Sequence, residues 1–354
     1  MATQAADIRD LVTLTLPQFK KFKFTDISSD YQETVAFKRI FSQKKMKNDD
    51  GDGVSIKWQL MTDTNGSARF VGLGFTAVLA IPSTFIQGET PWRGWTYNWS
   101  ADIAEPAMQG SATKIFDILK GRKFAAVGDI IKLTERALWR AASLTSDDVY
   151  GIPNYIVKSN TAATLANNDG FNGLVPSGHT TVAGISPTTY PRWRNYATQY
   201  TNVTPTDFVR KATRMANKIR FMPLVNDMPI YDTGMDYASY TNYGLYSAVT
   251  ELAQSQNDNL GFDIAAADGK AMFRRGKFSW LQELEQDTTN PFYMIDWGVM
   301  YAARMRSLWE KDIPVDVNPQ QPTMMSVHTV TRCNLICLDR RKHGVLATDT
   351  TMPS

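Results

Sequence analysis

The segment Gly53-Val54-Ser55-Ile56-Lys57-Trp58-Gln59-Leu60 constrains the chain most. Val54, Ile56, Trp58 and Leu60 alternate with polar residues, the period of a strand with one buried face. The turn-rich tract Asn48-Asp49-Asp50-Gly51-Asp52-Gly53 precedes it, and Asp63-Thr64-Asn65-Gly66 follows, where Asn and Gly accept positive φ at little cost. A return strand from Ala68 to Phe75, carrying Phe70, Val71 and Phe75, is predicted to close a long ribbon. Two strands alone are marginal in water. The ribbon therefore needs a surface to lie on, in its own chain or in a neighbour.

The flanking elements make similar demands. Residues 1 to about 48 read as an arm with two short helical patterns (Ile8, Leu11, Leu14; then Tyr31, Val35, Phe37) around the basic run Lys20-Lys21-Phe22-Lys23. Neither helix is long enough to stand alone; the arm lies either on its own domain or on another body. Residues 76–108 read as irregular and aromatic, with Trp92, Trp95, Tyr97 and Trp99 close together and Tyr97 and Trp99 on one face of a strand. Gly110 to Ala142 is the longest helical pattern, and Gly121 and Gly128 in its middle favour a bend. Residues 144–205 read as long loops. Thr204-Pro205-Thr206-Asp207 then opens a helix with Phe208, Ala212, Met215, Ala216 and Ile219 on one face and Arg210, Lys211, Arg214 and Lys218 on the other. A third helix is predicted from Tyr243 to Ser255, and strands over Lys270–Leu281, Pro291–Met300, Met324–Leu338 and Gly344–Ala347. The class is mixed α+β.

Composition removes several functions. A formal charge of +3 is too balanced for a dedicated nucleic-acid binder, and 2 Cys with 3 His leave little for zinc modules or His-based catalysis. No apolar run reaches the roughly 18 residues of a membrane span. Nor is there a nucleophile elbow, a P-loop or a dinucleotide fingerprint. Asn48, Asp50, Asp52 and Gly53 fit the first half of an EF-hand loop, but Gln59 stands where a bidentate Glu is required, so a turn tip fits better. Cys333 and Cys337 read as buried thiols. Glu283, Glu285 and Asp287 share one face of an extended segment, as a metal trio or as a solvated strand end. No cofactor is expected.

Docking elements without a catalytic set then meet a specific resemblance. Gly53-Val54-Ser55-Ile56-Lys57-Trp58, Asn65-Gly66-Ser67-Ala68-Arg69, Leu133-Thr134-Glu135-Arg136-Ala137-Leu138-Trp139, Gly151-Ile152-Pro153-Asn154-Tyr155-Ile156-Val157, Gly170-Phe171-Asn172-Gly173, Tyr190-Pro191-Arg192-Trp193-Arg194-Asn195-Tyr196, Gln256-Asn257-Asp258-Asn259-Leu260-Gly261, Asp296-Trp297 and Cys337-Leu338-Asp339-Arg340-Arg341 occur in order. Together they resemble the tailed-bacteriophage major capsid proteins of the Hong Kong 97-like fold, over essentially the whole chain. The resemblance implies an N-terminal arm (1–42), an extended β-hairpin loop (43–75), a peripheral domain with a spine helix (76–148), an axial domain (149–289) and a return to the peripheral sheet (290–354).

It further implies self-assembly into hexamers and pentamers of an icosahedral shell. Portal, scaffolding and decoration proteins are the expected partners, the scaffold as a separate protein. Packaged double-stranded DNA is held weakly and without sequence preference. The expected location is the virion, assembled in the host cytoplasm, with no membrane partner and no enzymatic activity. Lys44, Lys45, Lys47, Ile56, Trp58, Leu60, Arg69 and Phe70 are the expected inter-subunit contacts, and Lys20, Lys21 and Lys23 face the DNA. Some members cross-link subunits through a loop Lys and an Asn; Lys44, Lys45, Lys47 and Lys57 are available for that. An encapsulin-like nanocompartment of the same fold is the alternative. A carbohydrate-active or metal-dependent enzyme built on the aromatics and on Glu283, Glu285 and Asp287 is a third reading.

Overall fold

The computed structural model describes residues 33–42, 45–48, 53–63, 69–73, 83–102, 112–158, 169–221, 236–255, 277–315 and 324–352. Lys20, Lys21, Lys23, Lys44, the tract 49–52 and the Asn65-Gly66 turn lie outside these residues.

Two five-stranded sheets share one core. The first sheet is built around β11 (Met324–Cys337). On one edge it pairs with β4 (Arg93–Asp102); on the other with β9 (Met300–Arg304) and β10 (Lys311–Val315), all antiparallel. Cys333 is paired with both Arg93 and Arg304, so β9 and β10 run in line on the edge opposite β4. The short β1 (Met46–Asn48) joins β9 in parallel. The second sheet has the order β5 (Tyr196–Gln199), β12 (Gly344–Ala347), β8 (Phe292–Asp296), β6 (Tyr237–Thr241), β7 (Lys277–Trp280). Residues 290–354 thus supply strands to both sheets. Pro291–Met300 is two strands parted by a 3-10 turn at Trp297–Val299, not one, because the Asp296 carboxylate takes the Gly298 N–H and turns the chain.

Period-2 alternation explains why the second sheet is buried on both faces. Ala238, Tyr240, Tyr293, Ile295, Val345 and Ala347 point into the shared core. Tyr237, Phe292, Met294 and Leu346 point the other way, against the helix α4 (Arg210–Lys218) and α5 (Tyr243–Ser255). The capping expected at Thr204 is present, its hydroxyl accepting from Asp207 N, although the first turn, Pro205–Val209, is π-helical. The basic face of α4 is neutralised locally: Asp207 pairs with Lys211, and Asp169 with Arg214 and Lys218.

The helix α2 (Ala112–Leu138) spans 27 residues, about 40 Å, and runs unbroken through Gly121 and Gly128. A Cβ at either glycine would meet nothing within 4 Å. At its C-terminal end Glu135, 1% exposed, accepts from the backbone N–H of Ala36 (3.0 Å) and Phe37 (2.7 Å) and from Trp139 Nε1 (2.9 Å). Those two backbone donors are unpaired first-turn groups of α1 (Val35–Ile40), a helix of six residues that could not persist alone. Val35, Ala36 and Ile40 enter the core, and Phe41 packs on Trp95 and Trp309 at 5.4 and 6.2 Å. This part of the arm lies on its own chain. Burial raises the Glu135 carboxyl above its usual range, against the three hydrogen bonds that favour the anion.

The loops between α2 and β5 are closed by buried polar residues. The Asn154 amide ties Ala142 to Gly151 at the start of the short helix α3 (Ile152–Tyr155). Asn195 brackets Val157 through both its N–H and its C=O. Arg340, 0% exposed, donates from Nε to Tyr155 O (2.7 Å), from Nη1 to Trp193 O (2.8 Å), and from Nη2 to Leu174 O and Asn195 Oδ1 (3.0 Å each). It faces carbonyls and an amide rather than a carboxylate, and burial lowers its pKa to about 9. Replacing Arg340 with Met leaves these acceptors unpaired and should cost at least about 3 kcal/mol. Urea unfolding of the monomer, followed by tryptophan fluorescence, measures this loss; Arg340→Lys should recover only part of it, because an ammonium cannot reproduce the planar fork.

Candidate assembly surfaces

The ribbon is real, but its return strand is not Ala68–Phe75. β2 (Ser55–Met61) pairs antiparallel with β3 (Phe85–Pro91), from Ser55 opposite Pro91 to Met61 opposite Phe85. Arg69 to Leu73 has no regular structure. The reason is the fit of the buried face. Ile56 opposes Thr90, Trp58 opposes Gly88 and Leu60 opposes Ile86. A Cβ on Gly88 would sit 2.6 Å from the Trp58 ring, so the glycine makes room for the indole. Residues 85–91, expected to be irregular, form a strand, and so do 93–102, where Tyr97 and Trp99 share one strand face as their spacing suggests.

The root of the ribbon docks on its own chain. Ile56, 3% exposed, packs with Tyr301, Ala303 and Ile336, and Trp58 joins that cluster. Leu60 and Ile86 pack against the main core. Glu89 N–H donates to Ala183 O at 2.9 Å, and the Thr90 hydroxyl meets the Tyr155 hydroxyl at 3.2 Å. Lys45 donates to Trp297 O at 2.7 Å and lies 5.0 Å from the Tyr301 ring centre, with Lys47 at 5.2 Å. Burial lowers the Lys45 pKa, partly opposed by Asp236 and Asp296. Lys45, Lys47, Ile56, Trp58 and Leu60 are therefore gathered within the subunit. Lys57 is exposed on the ribbon's other face, opposite Glu89.

Beyond the root the character reverses. Arg69 is exposed, and Phe70 and Leu73 are fully so at 109% and 108%. Phe85 is 60%, Val71 50% and Met61 47% exposed. These six positions put five large apolar side chains in water. Leu73 and Phe85 went unnoticed in the sequence because no periodicity singles them out.

Elsewhere the side chains are spent on structure. Glu283, Glu285 and Asp287 do not line one face of a strand: Gln282–Leu284 is a 3-10 turn, Glu285 accepts from Tyr243 N at the start of α5, and Asp287 pairs with Lys158 at 2.5 Å. Among the described residues no group of three or more His, Cys, Asp or Glu could hold a metal, and no helix is long and apolar enough to cross a membrane. One thiol–imidazole pair exists, Cys337 Sγ to His343 Nε2 at 3.4 Å, with both residues 0% exposed. His343 Nδ1 accepts from Asp296 N at 3.2 Å, which leaves the proton of the neutral ring on Nε2. Burial pushes the thiol up and the imidazole down to about 3, opposite to a thiolate–imidazolium pair.

The geometry has counterparts among solved structures. The capsid asymmetric unit of cyanophage A-1(L) superposes with a TM-score of 0.62 at 14% identity, covering 96% of this chain and 99% of that one. The capsid of the native GTA particle gives 0.54 at 13%, covering 95% of each chain. This is the Hong Kong 97-like capsid fold, in its α+β form. The holo-SrpI encapsulin complex of Synechococcus elongatus PCC 7942 shares it, with a TM-score of 0.54 at 8% identity over 97% of this chain and 96% of that one. No protein-family model matches the sequence, and no curated protein matches it by sequence.

His343 predicts a pH dependence. Its pKa falls from 6.5 unfolded to about 3 folded, so its stabilising contribution is complete above about 6.5 and is lost as pH falls. From pH 6.5 to 5 the wild type should lose up to about 2 kcal/mol through this group. Urea midpoints at the two pH values should show that drop, and His343→Gln should flatten it.

Proposed function

We propose that this chain is the major capsid protein of a tailed bacteriophage, assembling as hexamers and pentamers into an icosahedral shell around double-stranded DNA. The full-length correspondence with the cyanophage A-1(L) capsid subunit carries this reading. The exposed ribbon tip supports it, because an apolar loop held out on a firmly seated root suits reach onto a neighbour. The first sheet with α2 corresponds to the peripheral domain, and the second sheet with α4 and α5 to the axial domain. Shell strength then comes from many modest contacts closed by symmetry, without active-site chemistry. The virion is its place. A portal, a scaffold and weak phosphate contacts by Lys20, Lys21 and Lys23 belong to the same proposal. Of the predicted contact residues, Arg69 and Phe70 act between subunits, joined by Val71, Leu73 and Phe85.

An encapsulin-like compartment is the second reading, favoured by the fit to the SrpI encapsulin. The contents of purified particles separate the two: nuclease-protected DNA supports the capsid, a co-purifying enzyme the compartment.

Electron microscopy of the expressed protein, with varied salt and with a scaffolding partner supplied, should show closed particles. Uniformly small species under every condition would sink the shell reading. Replacing Phe70 and Leu73 with Ser should abolish particles while shifting monomer stability by less than about 0.5 kcal/mol, since neither side chain packs on its own chain. Removing Lys44 to Gly72 instead would take away β1, Ile56 and Trp58 and is expected to unfold the subunit.

A further inference from the structure

The ribbon root, the loop after α2 and a turn ahead of β5 enclose a cavity that the shell reading does not use. Its volume is about 420 Å³, within the roughly 300–1,000 Å³ of small-molecule pockets. Its walls are fixed from three sides. Glu89 N–H donates to Ala183 O at 2.9 Å, which joins the ribbon's return strand to the tight turn Val182–Ile185. Positive φ at Ala183 (52°) and Gly184 (74°) makes that turn. His179 Nε2 donates to Ala142 O at 2.9 Å. Arg93 draws in the carbonyls of Asp148, Ser143 and Leu144 at 2.6, 3.0 and 3.1 Å. The cavity is therefore formed before any ligand enters.

Several polar side chains on the lining are occupied by the protein itself. Arg93, 7% exposed, makes its bonds to those carbonyls and lies 4.6 Å from the Tyr150 ring centre. The Asn154 amide holds Ala142 and Gly151, Tyr155 donates to Leu335 O, and Ser146 donates to Asp148. The groups left over are mostly acceptors. A carbonyl only accepts, so the neutral His179 ring carries its proton on Nε2 and leaves a lone pair on Nδ1. Asp147 is exposed and has no ion pair among the described residues. Glu89 takes the Ser55 hydroxyl and no cation, although Lys57 stands opposite it in the ladder. Tyr150 is 7% exposed, yet its hydroxyl makes no hydrogen bond among the described residues. The Trp92 Nε1–H also lacks a partner, but it has no exposed surface from which to meet a ligand.

We propose that this cavity binds a small organic cation, a primary ammonium carried on an apolar body. An ammonium brings three donors and no acceptor, which complements the carboxylates of Glu89 and Asp147, His179 Nδ1 and the Tyr150 hydroxyl. An anion would meet two carboxylates instead. Leu144, 55% exposed, and Pro176 give the apolar body a wall to lie on. On an open surface such an ion pair contributes little, but partial enclosure against Tyr150 weakens the screening. The lining comes from the ribbon root, the loop after α2 and the turn Val182–Ile185, so an occupant ties the ribbon to the body of its own subunit. The site stands whether or not the chain is a shell protein.

Phenethylamine is the probe, with 2-phenylethanol and phenylacetate as neutral and anionic controls of similar size. Calorimetry on the purified full chain should give the amine a Kd below about 1 mM, the alcohol at least about tenfold weaker binding, and the acid no heat. Saturating amine should raise the melting temperature by at least about 2 °C. Tyr150→Phe and Asp147→Asn remove polar groups that make no bond within the subunit, so both should keep the melting temperature of the free protein. Each should weaken the amine at least about threefold. No binding of the amine at about 10 mM would overturn the site. So would equal affinity for the alcohol or the acid, or an amine affinity unchanged in either variant. Closed particles from a protein that ignores the amine would remove this inference and leave the capsid reading in place.

Discussion

Arg340 is the point on which the subunit's interior depends. One guanidinium gathers the carbonyls of Tyr155, Trp193 and Leu174 and the amide oxygen of Asn195, which belong to three separate stretches between α2 and β5. These stretches carry almost no regular structure, so their backbone groups have no ladder to satisfy them. A buried cation with a planar fork of donors can serve several at once. A carboxylate partner would occupy the fork and leave those carbonyls orphaned. Burial disfavours the charge and lowers the pKa to about 9, and the hydrogen bonds compensate for that burial.

Glu135 does the reverse job at the far end of the same core. It is a buried anion facing backbone N–H groups, where Arg340 is a buried cation facing backbone C=O groups. Each replaces absent secondary-structure partners with one charged side chain. Between them the core runs without interruption from α1 through both sheets. A rigid interior of that kind fixes where the ribbon root points, and therefore where the exposed tip can reach. A loose root would spread the tip over many positions and charge each contact with the entropy of finding its neighbour.

Legibility in the sequence followed locality. The helix Tyr243–Ser255 and the strand Gly344–Ala347 were readable to the residue, since each is specified by its own periodicity. The outgoing ribbon strand was readable for the same reason. The return strand was not. Asn65-Gly66 is a strong local turn signal, and Phe85-Ile86-Gln87-Gly88-Glu89-Thr90-Pro91 carries a Gly and a Pro that argue against a strand. Those two residues are explained only by the partner: Gly88 by the Trp58 ring above it, Pro91 by its place at the strand's end. Of the expected contact residues, Lys45, Lys47, Ile56, Trp58 and Leu60 serve the root, because an alternating apolar face says that something covers it and not which molecule does.

For the shell proposed above, the division between root and tip bears on how it can be both strong and assembled without error. If Ile56 and Trp58 waited for a neighbour, the free subunit would expose a large apolar face and aggregate before it found its ring. Burying that face internally leaves a small apolar tip, which on the proposed reading is too little to hold two subunits for long. Weak single contacts dissociate and correct themselves. Only when a ring closes do they act together, and the effective concentration of each contact then rises with every neighbour already in place. On the proposed reading, a sequence that keeps Trp58 at home and sends Phe70 outward separates folding from assembly within one ribbon.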